Sequence, residues 1–280
     1  MRKLKTLLFC CLGLVVIFCA TEARAGVRID KPKIRLAVEP GSYDSGEIKV
    51  ENTGAEQISI KVYLEDWVYS EQEGGKDFMP KGTSKFSASP WISFYPADFT
   101  IVPNGTQMVR YTVSVPKEAK GGHYSVMFFE TGGGAIEQPD EQGVNVAIQV
   151  LNRLGALFYV EPQGTIDKIA AIKGLDISEK LNDLTVTADF LNTGNTDITA
   201  SGTFDVIDQE GFVYARGLFE EVYTLGGDKA KLQAKASSVN LRSGDYDLLM
   251  TLEFQNGGSL IQEAHFSVSG DSITSIKIKE

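Results

Sequence analysis

Histidines, cysteines and paired acids do most enzymatic work, and this 280-residue chain gathers few of them. Its two histidines, His123 and His265, fall in a turn and in a strand pattern on different copies of an internal repeat, so a shared metal site would need ligands from both copies. Glu65-Asp66 beside Trp67 is the one place where acids adjoin an aromatic that could stack on a sugar, as a glycosidase would require. Consecutive strand residues face opposite sides of a sheet, so these two acids do not share a cleft. The chain holds no Gly-x-Ser-x-Gly elbow, phosphate loop or His-Glu-x-x-His motif. Gly132-Gly133-Gly134 has no helix signal after it to hold a phosphate and reads as a flexible loop. Asn104-Gly105-Thr106 fits a glycosylation sequon but stands in a turn joining two strands. The chemistry points away from catalysis, cofactors and metals, and toward binding other proteins.

The first twenty-five residues have the layout of a cleaved secretory signal. Arg2, Lys3 and Lys5 precede an apolar run from Leu7 to Ala20, and Ala23-Arg24-Ala25 supplies the cleavage site before Gly26. The run is too short to span a bilayer as a helix, and no second run of spanning length follows, so the mature chain is expected to enter no membrane. A lipoprotein would be acylated at Cys19, but Phe18 stands where a small residue is needed. Cys10, Cys11 and Cys19 all lie in this segment, which leaves the mature chain without disulfides or thiolate ligands. Losing the signal's four basic residues and one acidic residue takes the net charge from −10 to −13. That charge argues against nucleic acid and anionic lipid, which both call for basic patches.

Such sparse chemistry must be carried by strands. Apolar residues alternate at Ile48 and Val50, at Ile58, Ile60, Val62 and Leu64, and at Val109, Tyr111, Val113 and Val115. Period two marks strands with one buried face. Turn residues such as Asn52-Thr53-Gly54, Pro103-Asn104-Gly105 and Lys120-Gly121-Gly122 separate them, as in a sandwich or barrel. At most one short helix is expected, near Pro116 to Lys120. The chain also repeats itself. Val50-Glu51-Asn52-Thr53-Gly54 and its following strand are echoed by Phe190-Leu191-Asn192-Thr193-Gly194 and Ile198, Ala200, Gly202, Phe204, Val206. Gly122-His123-Tyr124 and Gly244-Asp245-Tyr246 each open a later apolar run, and both tyrosines read as sandwich-corner residues bonding back to their own chain. The first copy is longer, and the polar stretch from Glu71 to Ser89 is the candidate insertion, as a long hairpin or a surface loop.

Several segments resemble periplasmic pilus-assembly chaperones, the PapD-like family. They are Ile34 to Asn52 with Arg35, Pro40-Gly41 and Val50-Glu51-Asn52; Trp91-Ile92-Ser93-Phe94-Tyr95-Pro96 followed by Phe99, Ile101, Pro103, Gly105, Gln107, Val109 and Arg110; and Asn145 to Val150 with Leu157-Phe158-Tyr159 and Pro162. The resemblance covers about half the chain, Ile34 to Pro162. It implies an all-β protein of two immunoglobulin-like β-sandwich domains in tandem, at 26–160 and 161–280 after a signal at 1–25. It also implies a periplasmic chaperone that binds exported, pilin-like subunits by lending an edge strand. In the family an arginine on the first strand and a lysine just before the Leu-Phe-Tyr segment grip the subunit's terminal carboxylate. Arg35 matches the first position, with Lys33 on the same strand face; at the second this chain has Gly155-Ala156, and the nearest base is Arg153.

The residues carry a reading of their own beside the resemblance. Val144, Val146, Ile148 and Val150 form a period-two apolar row with neither charge nor proline, the devices that normally blunt an edge strand. Strand addition uses such an edge, whereas the same row could instead pack its own core. Two other classes fit the composition: a structural or adhesive envelope protein sharing the sandwich, and a carbohydrate-binding module with Trp67, Trp91 and Tyr95 as its platform. The purified exported protein should melt at the same temperature with and without reductant; a large drop in reductant would mean that the signal is retained and its cysteines paired.

Overall fold

The computed structural model describes residues 26–70, 75–139, 145–255, 257–270 and 272–279, and the expected signal at 1–25 lies outside them. The first half carries ten strands: β1 Val27–Ile29, β2 Lys33–Val38, β3 Tyr43–Asn52, β4 Ile58–Tyr69, β5 Lys76–Pro80, β6 Ile92–Tyr95, β7 Asp98–Ile101, β8 Thr106–Ser114, β9 His123–Pro139 and β10 Asn145–Pro162. They form two sheets, ordered β1-β3-β8-β6 and β2-β10-β9-β4-β5, with β7 also on β4. The alternating residues named above meet between these sheets: Ile48, Val50, Val109 and Val113 face Ile60, Val62, Met127, Phe129 and Phe158. Period two is thus the imprint of one core on strands that are polar on their other face.

β9 departs from simple alternation for a visible reason. Met127 and Phe129 face the sandwich core, while Tyr124, Val126 and Phe128 face a second cluster built on Trp67, Tyr159 and Leu225. A strand buried on both faces reads as a continuous apolar run.

The second half carries β11 Ala170–Lys180, β12 Asp183–Asn192, β13 Ile198–Asp208, β14 Val213–Thr224, β15 Lys229–Ala236, β16 Gly244–Phe254, β17 Ser259–Ser269 and β18 Ser272–Ile278. These eight form one hydrogen-bonded sheet, β11-β12-β15-β14-β13-β16-β17-β18, wrapped around a core that includes Phe190, Phe204, Leu248, Met250 and Phe266. Its two end strands approach each other and pack on that same core. No helix among the described residues is long and apolar enough to cross a membrane. The one helical element described is a single 3-10 turn at Ser89–Trp91, not at Pro116 to Lys120, where Ala119 N donates to Pro116 O in an isolated turn.

The internal repeat extends to individual atoms. Asn52 and Asn192 are both fully buried. Each accepts from a glycine amide two residues on, Gly54 at 2.9 Å and Gly194 at 3.0 Å. Each donates to the carbonyl four residues on, Glu56 at 2.6 Å and Thr196 at 2.8 Å. The side chain thereby satisfies main-chain groups that a tight turn cannot pair by itself. The two tyrosines diverge. Tyr246 behaves as a corner tyrosine, its hydroxyl donating to Arg242 O at 3.0 Å, whereas Tyr124 points its hydroxyl at Asp197 of the other half, at 3.4 Å. The Glu71 to Ser89 stretch contributes a hairpin arm, β5, paired with Glu65–Tyr69 of β4. Asn192→Ala should lower stability by about 1–3 kcal/mol, because it removes the donor to the buried Thr196 carbonyl, while the Gly194 amide keeps Ile169 O at 2.9 Å; urea midpoints would measure it, and a loss comparable to that of an exposed-site substitution would contradict this role.

Candidate functional site

β10 has two neighbours over only part of its length. β9 pairs with it antiparallel from Asn145 to Val160, but β2 pairs with it, in parallel, only from Leu157 to Pro162. From Asn145 to Ala156 its other edge has no partner strand among the described residues. β9 in turn pairs with β4 only between Val126 and Thr131, so the remainder of the β9–β10 hairpin continues as a two-stranded ribbon. Such an edge presents unpaired main-chain donors and acceptors.

The glycine run lies inside β9, not in a loop. Gln149 pairs with Ala135 and Leu151 with Gly132, so Val150 alone stands opposite Gly133 and Gly134. This is a bulge on β9, a place where glycine is accommodated readily. The register of β10 is uninterrupted, and Val146, Ile148 and Val150 keep their alternation along it. Val146 and Ile148 are described by backbone alone, Val150 is half-buried, and Val144 lies outside the described residues. Further along the same strand Leu151 is 54% and Leu154 37% exposed.

The expected cations separate into two groups. Lys33 and Arg35 share a face of β2, with Lys33 Nζ 4.7 Å and Arg35 Cζ 4.5 Å from the centre of the Tyr159 ring. Arg35 is committed within the chain. Its Nη1 and Nη2 donate to the Asp197 carboxylate at 3.0 and 2.7 Å, and Nη1 also donates to Glu161. Burial opposes its charge, but the hydrogen bonds and attraction of Asp197 and Glu161 outweigh that and raise its pKa above the ordinary value. Arg153 does not join this group. It lies six positions before Tyr159 on β10, about 20 Å along an extended strand. Its guanidinium rests 4.3 Å from the Phe128 ring centre and 3.4 Å from Glu65.

Lys76, which sequence reasoning passed over, comes to the same region from β5. Its Nζ stands 5.6 Å from the Trp67 ring centre and 5.3 Å from that of Tyr69. Burial, and then the charge of Lys33, lower its pKa. Neither Lys33 nor Lys76 forms an ion pair among the described residues. Two like charges near one another above an aromatic floor can receive a carboxylate. No sequence signal marked Lys76, because its place depends on how the β4–β5 hairpin folds back.

Beneath these cations the halves share a core. Trp67 is fully buried, with Nε1 donating to Ser125 O at 3.1 Å. Its ring lies 5.4 Å from Tyr124 and 5.3 Å from Tyr159, and Tyr69 reaches Tyr223 of β14 at 5.7 Å. Leu225 from the second half is buried in the same cluster. Gly122 makes room for the junction, since a Cβ there would collide with the Tyr124 hydroxyl and Thr196. Buried Trp67 cannot stack on a sugar, and Trp91 packs against His123 with ring centres 4.1 Å apart, so the expected three-aromatic platform does not form. Asp66 is also buried, accepting from Ser84 N at 2.9 Å and from the Ser87 and Ser89 hydroxyls at 2.6 and 2.5 Å, while Glu65 faces Arg153. The two acids do point to opposite sides, as a strand requires.

Fold and site together define an all-β protein with two cores, a shared aromatic junction and, among the described residues, a long open edge on β10. No family model matches the chain, and no curated protein matches it. Solved structures do. A chaperone–tip adhesin complex of CFA/I fimbriae biogenesis is 14% identical, with 85% of this chain and 98% of that one covered and a TM-score of 0.46. The class 5 fimbriae chaperone CfaA is 13% identical, with 87% and 100% covered and a TM-score of 0.43. The CsuC–CsuE pre-assembly complex of chaperone and tip adhesion subunit, from archaic Csu pili of Acinetobacter baumannii, is 12% identical, with 85% and 98% covered and a TM-score of 0.41.

Arg35 and Asp197 should behave as one unit. Arg35→Leu leaves two carboxylates, Asp197 at 4% and Glu161 at 15% side-chain exposure, without their cation. The loss should be about 3–5 kcal/mol, and Arg35→Leu combined with Asp197→Leu should lose clearly less than the sum of the single variants. A thermodynamic cycle of urea midpoints checks it; strict additivity would mean that the pair contributes nothing.

Proposed function

We propose that this protein is a periplasmic chaperone of exported, pilin-like subunits and that it acts by binding, without catalysis, lending the free edge of β10 to an incomplete client. The observation that carries this reading is the unpartnered edge from Asn145 to Ala156, with its alternating Val146, Ile148 and Val150. Strand addition gives affinity through main-chain hydrogen bonds and specificity through alternate side chains. A ribbon extending past the body of its sheet offers both and sacrifices no native pairing. We place its domains at 26–160 and 161–280, a division supported by the two separate cores, with the client lying along the first. Export through the signal at 1–25 would bring the chain to the compartment where such subunits fold.

Lys33 and Lys76 are the cations we assign to a client carboxylate. Arg35, already between Asp197 and Glu161, keeps the halves together and holds Tyr159 beneath Lys33. Arg153 braces the sheet face behind the edge through Glu65 and Phe128.

Ile148→Glu should abolish client capture and change the stability of the isolated protein by only about 1 kcal/mol or less, because an edge side chain waiting for a partner is not packed. Pull-down of a co-expressed subunit and urea midpoints read the two effects. A folded Ile148→Glu that still holds its client would sink strand lending, and an unfolded one would show that the row belongs to the protein's own core.

A further inference from the structure

β14 and β15 are the arms of one hairpin, and the hairpin is open in its middle. Its turn is closed by Asp228 N, which donates to Leu225 O at 3.0 Å, and by Leu225 N, which donates to the Asp228 carboxylate at 2.8 Å. Further along, the arms meet again at Leu218↔Lys235 and Phe219↔Ala234. Between these two closures a bulge parts them: Gly202 pairs with Phe219 and Ala200 with Val222, so Glu220 and Glu221 stand opposite Ser201 alone. A bulge bends its strand and raises the local twist, which turns β14 away from β15. Residues 220–224 and 229–233 therefore form the sides of a slot and do not pair with each other.

A cavity of about 1040 Å³ lies at this slot. Phe190, Val222 and Ala230 contribute apolar lining, and Tyr69 and Tyr223, with ring centres 5.7 Å apart, border it. Its charges balance, three lysines against Asp189, Glu220 and Glu221, but they are sorted by wall. Lys173, Lys229, Lys231 and Asp189 lie on the β11–β12–β15 side, and Glu220 and Glu221 on β14. Part of this charge is answered within the chain: Lys231 pairs with Asp189 at 3.0 Å, and Glu221 accepts from Tyr223 and from Gln255. Lys173 and Lys229 on one wall and Glu220 on the other have no ion pair or hydrogen bond among the described residues.

We propose that this slot binds a free α-amino acid with a large apolar side chain. Width sets the first constraint. Arms pinned together at both ends leave no room for a third strand, which would need its neighbours about 9–10 Å apart along their length, so the occupant is a small molecule. Charge sets the second. Unanswered charges of opposite sign on opposite walls are matched by one molecule that carries both, and an α-amino acid holds its ammonium and carboxylate on the same carbon. The ammonium then meets Glu220 and the carboxylate meets Lys173 and Lys229, while main-chain amides and carbonyls of the parted arms take the remaining hydrogen bonds. The lining sets the third: Phe190, Val222 and Ala230 receive an apolar body that a few polar groups orient. The slot is separate from the β10 edge, so it stands or falls independently of strand lending there.

The test uses the whole mature chain and three probes that share a phenyl ring: zwitterionic L-phenylalanine, anionic 3-phenylpropanoate and cationic 2-phenylethylamine. Titration calorimetry should give L-phenylalanine a Kd of about 1 mM or tighter and each singly charged probe a Kd about tenfold or more weaker. Saturating L-phenylalanine should slow amide hydrogen exchange within residues 220–224 and 229–233, which places the ligand in the slot. Glu220→Gln, and separately Lys173→Gln with Lys229→Gln, should each weaken L-phenylalanine binding by about tenfold or more at an unchanged melting temperature, because these side chains are exposed and unpaired. Equal binding of the three probes, no binding of L-phenylalanine at about 10 mM, protection elsewhere than the slot, or binding that both variants leave intact would each overturn the proposal.

Discussion

The carboxylate of Asp197 is buried, and the cation that answers it, Arg35, comes from the opposite half of the protein. A charge in that position is tolerated only with a partner in good geometry, so the pairing restricts how the halves can meet. Around it the structure closes in layers. Tyr124 turns its hydroxyl to the same carboxylate, Tyr159 lies under the guanidinium, and Trp67 fills the space behind both rings. Leu225 and Tyr223 reach into that cluster from the second half. Lys33 and Lys76 stand over the rings of this cluster.

The open edge of β10 follows from a similar economy of partners. β2 is six residues long and meets β10 only at its C-terminal end, while β9 follows β10 throughout. The same strand thus closes the sandwich at one end and leaves an edge bare at the other. Gly133 and Gly134 absorb a one-residue mismatch in β9, and the alternation of β10 survives it. Edges of this length are ordinarily guarded, and the described part of this one is bordered by exposed Leu151 and Leu154.

The two halves share some devices and differ in others. Asn52 and Asn192 close equivalent turns with equivalent bonds. Tyr246 still anchors its own corner, while Tyr124, in the corresponding place, has been drawn into the junction. The first half separates its strands into two sheets; the second keeps eight in one wrapped sheet that parts between β14 and β15.

Much of this was legible in the residues, because period-two burial leaves a local imprint. The core positions Ile60, Val62, Val109, Val113, Leu248 and Met250, the twin asparagine turns and the β-only architecture can each be read from a dozen neighbouring letters. So could the opposite orientations of Glu65 and Asp66, which follow from the pleat alone. What the letters did not carry is everything that joins residues far apart in the chain. Arg35 reads as a free anchor until Asp197, 162 positions later, is brought beside it. Gly132-Gly133-Gly134 reads as a loop until β10 shows it to be a bulge, and Lys76 reads as an ordinary polar residue until its hairpin lays it over Trp67. Local pattern determined which residues are buried; only tertiary structure decided which buried and charged groups meet, because Coulombic pairing, ring contact and strand register depend on distance in space and leave no periodicity in the sequence.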